Sequence, residues 1–295
     1  MIILAVPKIK VHSALFLVAV IYGANYSIAK IALPEYLQPF GFILLRIVCA
    51  TILFWLFSLT QEREKIKSRA DFMLLIVSAI FGVGINMLAF FHGLSLTNPI
   101  NASVIMTCSP IMVLLTAYVL GKERLTPLKI AGVLVGALGA YLLLTKDGVS
   151  LSNGTFLGDL FILVNGSSYA VYLVIVKPLM AKYKAITVIK WIFLFGAIFT
   201  LPFGYGELTS VNWDVIPTEA WLSIGYVVLF STFAVYLLNI WSLKFVNSSV
   251  VGIYIYLQPI ISTLVAVSFR GDHLDLLTVM YSFLIMVGVY MVSKK

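Results

Sequence analysis

An all-α integral membrane protein is what this sequence predicts, and three observations carry the prediction. Charge is scarce, apolar runs of membrane-crossing length recur ten times, and lysine and arginine collect on alternate sides of those runs. Only 11% of the 295 residues are charged while 61% are hydrophobic, and the mean hydropathy is +1.06. A soluble domain carries about 25% charged residues. This chain has too few to cover a water-facing surface, so it belongs in lipid. Crossing roughly 30 Å of hydrocarbon at about 1.5 Å per residue takes about 20 apolar residues. Ten such spans leave only short loops and no room for a soluble catalytic domain.

The ten runs fall at 11–30, 37–59, 72–94, 98–120, 127–145, 157–177, 186–204, 218–242, 247–269 and 275–292. Each is an apolar stretch between polar breaks. QEREKIKSRAD parts the second from the third, GKERLTPLK the fourth from the fifth, and TKDGVSLSNG the fifth from the sixth. The breaks before Asn98 and Asn247 are a residue or two long, which predicts that the third and fourth runs, and the eighth and ninth, are tight antiparallel hairpins.

Orientation follows from the basic residues. With ten spans, sixteen Lys and Arg fall on one side, among them Lys8, Lys10, Lys65, Lys182 and Lys295. Lys30, Lys146 and Arg270 fall on the other, and Arg46 lies inside a span. The positive-inside rule then predicts a multi-pass protein of the cell (inner) membrane with both termini in the cytoplasm. A miscounted helix would erase this asymmetry, so it supports ten spans independently. The net charge of +8 is thus a topological signal, and no nucleic-acid partner is expected.

The chain repeats itself. A slide of 149 residues aligns Leu94–Tyr141 with Leu243–Tyr290 without a gap and gives ten identities in 48 positions, including Asn98/Asn247, Pro110/Pro259, Gly139/Gly288 and Tyr141/Tyr290. A slide of 147 pairs Tyr22 with Tyr169 and Lys30 with Lys177. The predicted architecture is two inverted five-helix repeats, 1–146 and 147–295. Five is odd, so the second repeat enters the membrane from the opposite face, as the opposite sides of Lys30 and Lys177 require. Inverted repeats of this kind mark secondary transporters, with the site near the midplane between the halves.

The residues also resemble a known group. The stretch GLSLTNPINASVIMTCSPIMVLLTAYVLGKERLTPLKIAGVLVGALGAYLLL looks like the first repeat of the drug/metabolite transporter superfamily, EamA type. YGANYSIAK, LLRIVCA and GDLFILVNGSSYAVY, in the first, second and sixth spans, resemble it too. The resemblance runs nearly end to end, with GKERL at 121–125 its most specific piece. The second repeat departs from it at RGDHL, 270–274, where a GERL-like turn is usual. The resemblance implies ten helices and alternating access. It also implies an exporter or exchanger of small organic metabolites, amino-acid-like or otherwise neutral or zwitterionic.

Polar groups within lipid are costly and therefore informative. Tyr22 and Asn25 share a face of the first helix; Tyr169 lies on the sixth, Asn86 halfway along the third, and Tyr254 and Gln258 four apart on the ninth. These six are the expected substrate-binding residues, a set of amides and rings suited to a neutral or zwitterionic solute. Arg46 is deep in the second span, where it reads either as a cation for a substrate carboxylate or a gating pair, or as a structural Arg bonded to neighbouring carbonyls or helix ends. It is expected to serve structure or gating, and the resemblance implies an Arg here without direct substrate contact. Pro110 and Pro259 each free a carbonyl one turn back and are expected to loosen the fourth and ninth helices. No acidic residue falls at midspan, and Asp159 reads as an interfacial group at the start of the sixth helix.

Gly132, Gly136 and Gly139 form a face for close helix approach, with the tenth helix at Gly288 the expected partner and a homodimer the alternative to a monomer. The chain holds no P-loop, no HExxH and no paired His or Cys ligands, so neither enzyme, cofactor nor metal is expected. Cys49 and Cys108 read as small core residues. The competing reading is a lipid-handling or scaffold protein without solute transport.

Overall fold

The computed structural model describes residues 8–62, 64–121, 125–145, 154–243, 254–271 and 274–293. The chain is helical in the order the apolar runs predict. Helix α1 is Lys8–Ala32, α2 is Pro39–Leu59, and α3 is Arg69–Leu96. Helix α4 comes in two halves, Pro99–Met106 and Ser109–Val119. They are followed by α5 (Pro127–Thr145), α6 (Gly154–Lys182) and α7 (Ala185–Thr209). Helix α8 runs from Thr218–Val228 through a wide turn into Val235–Leu243. Helix α9 (Leu257–Val265) is entered by a 3₁₀ turn, Tyr254–Tyr256, and α10 is Leu276–Ser293.

Among the described residues, six helices are long and apolar enough to cross a bilayer, and α4 makes a seventh if its halves, bent by 42°, count as one span. The apolar parts of α5, α9 and α10 are shorter, Pro127–Leu143, Leu257–Phe269 and Leu276–Gly288. The start of the expected ninth span, 247–253, lies outside the described residues, as does Asn247. The other tight hairpin is described: Asn98 caps α4, its side-chain oxygen accepting from the Asn101 N–H at 2.7 Å. That satisfies one of the amides a helix start leaves unpaired.

Helices pack as the repeat dictates. Repeat mates meet directly, α2 on α7 and α5 on α10, while α1 packs on α8 and α9 and α6 packs on α3 and α4. Van der Waals fit must hold these contacts, because lipid offers no hydrophobic drive between helices. Gly288 of α10 shows how: a Cβ there would lie 2.4 Å from the Gly136 nitrogen and 2.6 Å from the Gly132 oxygen. Its repeat mate Gly139 faces Leu284 and Ile285 instead. The opposite faces of this pair, with Leu134, Leu138, Met280 and Phe283, are exposed and suit lipid. Cys108 is buried, Cys49 partly so, and both are free thiols.

Asp159, near the start of α6, is buried within the protein, only 1% exposed. Helix α6 begins three residues earlier than the apolar run suggests, which carries Asp159 more than a turn inside. The α3–α4 hairpin covers it there. The Thr97 hydroxyl and the Asn101 amide, at 3.2 Å, donate to its two oxygens. The Lys30 ammonium caps the same hairpin at the Thr97 carbonyl. The His92 ring, at the outer end of α3, lies between Phe40 and Phe161, with centroids 5.0 and 4.7 Å away. On the opposite end, Lys182 pairs with Asp71 at 2.8 Å and Lys184 with Glu62 at 2.7 Å. The Lys184 ammonium holds the exposed Glu62 carboxyl below the usual carboxylate range.

Candidate functional site

Where the two repeats meet, the helices leave a cavity of about 140 Å³. One water needs roughly 10–15 Å³ by this kind of measure, so there is room for a small organic molecule. All six residues expected to bind substrate line it: Tyr22 and Asn25 from α1, Asn86 from α3, Tyr169 from α6, Tyr254 and Gln258 from the α9 segment. Arg46 of α2 lines it as well. Pro259 is not among the lining residues, and the backbone is irregular beside both prolines: α4 breaks just before Pro110, and the 3₁₀ turn precedes Gln258–Pro259.

Local geometry sets each side chain. Asn86 and Asn165 face each other across α3 and α6, and each amide donates to the other's backbone carbonyl, at 3.2 and 2.8 Å. Such a reciprocal pair fixes both side chains while leaving the Asn165 side-chain oxygen unbonded. Tyr26, one residue beyond Asn25, donates to the Gln258 oxygen at 3.3 Å and so ties α1 to α9. His12 Nδ1 lies 2.8 Å from the Tyr254 hydroxyl at the opposite end of the same seam. Tyr169 packs beside Tyr172, ring centroids 6.0 Å apart.

Two wide turns shape the walls. Helix α3 widens into a π-helical turn at Ile80–Ile85 and α8 does so at Leu229–Ala234. These segments are 149 residues apart, the same slide that aligns the repeats. A π turn leaves one carbonyl without its usual i→i−4 partner, and such turns recur at functional sites. In α8 the Thr232 hydroxyl fills the gap by donating to the Val227 carbonyl five residues back, at 2.7 Å. The same oxygen accepts from Arg46 Nε at 2.5 Å. The guanidinium carbon sits 4.9 Å from the centre of the Phe91 ring, so Arg46 is held by an oxygen on one edge and a ring on one face.

Comparison with known proteins decides the family. The sequence profile of the EamA-like transporter family matches twice, over residues 9–145 and 156–294. The chain belongs to this family. It is similar to an uncharacterized transporter of Archaeoglobus fulgidus, 28% identical over 291 residues that span 97% of this chain and 98% of the relative. It is also similar to the uncharacterized transporter YyaM of Bacillus subtilis, 22% identical with 92% and 89% of the two chains covered. A WAT1-related protein of Arabidopsis thaliana is 23% identical over 97% of this chain and 85% of its own length. A solved crystal structure covering 95% of this chain and 96% of its own superposes with a TM-score of 0.65 at 20% identity, a likeness of fold. This EamA protein is a multi-pass membrane transporter.

Several lining residues of the EamA chain were not among the six. Tyr236 and Asn239 of α8 repeat the spacing of Tyr22 and Asn25, and that Tyr-x-x-Asn pattern was the signal available to find them. Ser231 carried no such signal. It reaches the cavity because the π turn rotates it there, and a regular 3.6-residue period does not foresee that rotation.

Proposed function

We propose that this transporter carries small organic metabolites, amino-acid-like or otherwise neutral or zwitterionic, across the cell (inner) membrane as an exporter or exchanger working by alternating access. The observation that supports it is the convergence of amides and tyrosine hydroxyls from both repeats on one cavity between apolar walls. Apolar walls with a few placed polar groups are the usual division of work in a small-molecule site. Tyr22, Asn25, Asn86, Tyr169, Tyr254 and Gln258 form the substrate site in this reading, and Tyr26, bonded to Gln258, closes one end. Both termini face the cytoplasm, the two repeats meet near residue 146, and the protein works as a monomer.

The full chain in liposomes should move labelled leucine, phenylalanine or a comparable metabolite with saturation, above the flux of empty vesicles. A broad panel without flux, in vesicles where lipid flips, would assign lipid handling instead. Tyr254→Phe, Asn25→Ala and Gln258→Ala should alter the apparent KM while leaving melting nearly unchanged. Reporters fused at Lys65 and Lys146 should report opposite sides of the membrane. The same side for both would undo the inverted arrangement.

A further inference from the structure

The cavity wall carries a chemical imbalance. Arg46 is 5% exposed and is charged at any physiological pH. Its guanidinium has five N–H donors, and the structure gives it one hydrogen bond, from Nε to Thr232. Among the described residues no carboxylate lies within ion-pair distance of it, and none lines the cavity. Four other residues of the cavity lining, Asn25, Asn165, Ser231 and Asn239, each hold a buried side-chain oxygen with no hydrogen-bond partner. Asn25, Asn165 and Ser231 are 3%, 3% and 0% exposed, so bulk water does not reach them freely. A buried charge without a counter-charge and buried acceptors without donors are each unfavourable. A ligand that supplies the missing partners relieves both at once.

We infer that Arg46 receives a carboxylate of the transported solute, and that the orphan oxygens of Asn25, Asn165, Ser231 and Asn239 receive N–H or O–H donors elsewhere on it. This rests on the transport reading above and redraws its substrate class as small monocarboxylates, zwitterionic or anionic, that carry at least one amino, amide or hydroxyl donor. Arg46 then has a binding role in addition to the structural one. Its Thr232 bond and its contact with Phe91 orient the planar fork, and the free edge can take a carboxylate in two parallel hydrogen bonds. Charge decides against other anions. Among the described residues the cavity lining supplies one positive side chain, which balances one carboxylate and leaves a phosphate ester, near −2 at neutral pH, uncompensated. An organic cation without a carboxylate meets Arg46 as a like charge. The apolar remainder of the solute lies against Leu15, Val18, Met87 and Phe90.

The test uses the solute series as well as the protein. Purified full-length chain is assayed for ligand-induced rise in melting temperature and for saturable liposome flux. The probes are leucine, phenylalanine and lactate; the methyl ester and primary amide of each; phenethylamine; and phosphoserine. The acids should bind and move. Esters and amides, which keep the donors but lose the negative charge, should bind about thirtyfold or more weakly, the range for removing one partner of a buried hydrogen-bonded charge pair. Phenethylamine and phosphoserine should fail. Arg46→Gln should abolish the preference of acid over amide, and Arg46→Lys should keep part of it. If Arg46→Gln does not fold, the acid, ester and amide series on the unaltered protein decides alone. Esters and amides that bind as tightly as the acids would overturn the assignment to Arg46 while leaving transport standing. Absence of flux for every probe would remove transport of small solutes, and this inference with it.

Discussion

The π turns of α3 and α8 are the same backbone device built with different side chains, and their comparison shows how a duplicated fold comes to hold one site. In the first, Ile80–Ile85, the sequence Ile-Phe-Gly-Val-Gly-Ile is wholly apolar. Its Val83 packs directly on Gly196 of α7. In the second, Leu229–Ala234, the sequence Leu-Phe-Ser-Thr-Phe-Ala places Ser231 where the first has Gly82 and Thr232 where the first has Val83. There the contact goes to α2, the repeat mate of α7, and it is the bond from Arg46 to Thr232. One turn joins its neighbour by dry packing, the other by a charged hydrogen bond. Backbone geometry is shared because the repeat shares it. Chemistry is not: of the two, the second turn is the one that bonds a charged side chain.

The largest effect should come from closing the space in the first turn. A Cβ on Gly82 would lie 2.4 Å from the Tyr172 ring, and no rotamer of a large side chain escapes that contact. Gly82→Leu should lower stability by about 3 kcal/mol, the upper end for overpacking, and shift Tyr172 and with it Tyr169, which lines the cavity. Melting in detergent and flux should fall together. A variant that melts like the parent would show that the first turn has slack, and the contrast between the turns would weaken.

Next comes an exchange of character. Thr232→Val gives the second turn the residue of the first and removes the oxygen that accepts from Arg46 and donates to Val227. Leaving a buried N–H and carbonyl unmet costs about 1–3 kcal/mol. Melting should drop by that much, and the apparent KM should rise because the guanidinium loses its anchor. Unchanged KM with lowered melting would confine Thr232 to structure.

The smallest effect belongs to Ser231. Its hydroxyl is buried without a partner, so Ser231→Ala removes an unmet group and should leave melting the same or slightly higher. Apparent affinity should weaken by less than about tenfold, or 1.4 kcal/mol, for solutes that carry a donor. A large loss of stability would mean that the hydroxyl is satisfied in the resting protein and the two turns are more alike than their side chains suggest. Smaller still is the effect at the exposed surface: Glu62→Ala should move melting by an amount within error, because a solvent-exposed pair such as Glu62–Lys184 contributes little.

Much of this was determined by the sequence alone. Membrane residence, the helical order and the duplicated architecture were legible because lipid leaves few options: each span must be apolar over its length and satisfy its own backbone. Depth was legible too, since position along a span is distance from the interface. That is why Tyr22, Asn25, Asn86, Tyr169, Tyr254 and Gln258, chosen largely for their middle depth, reach one cavity. The tertiary structure alone decided rotation and partners. The π turns break the regular helical period, so Ser231 and Thr232 face inward where no periodicity predicts it. The α3–α4 hairpin supplies the Thr97 and Asn101 partners of Asp159 near the start of α6, which its position near a span end did not name. Arg46 is the clearest case. Its depth was plain from its place in the second span, but what it bonds and what it leaves unbonded depend on a threonine 186 residues away, and only packing brings those two together.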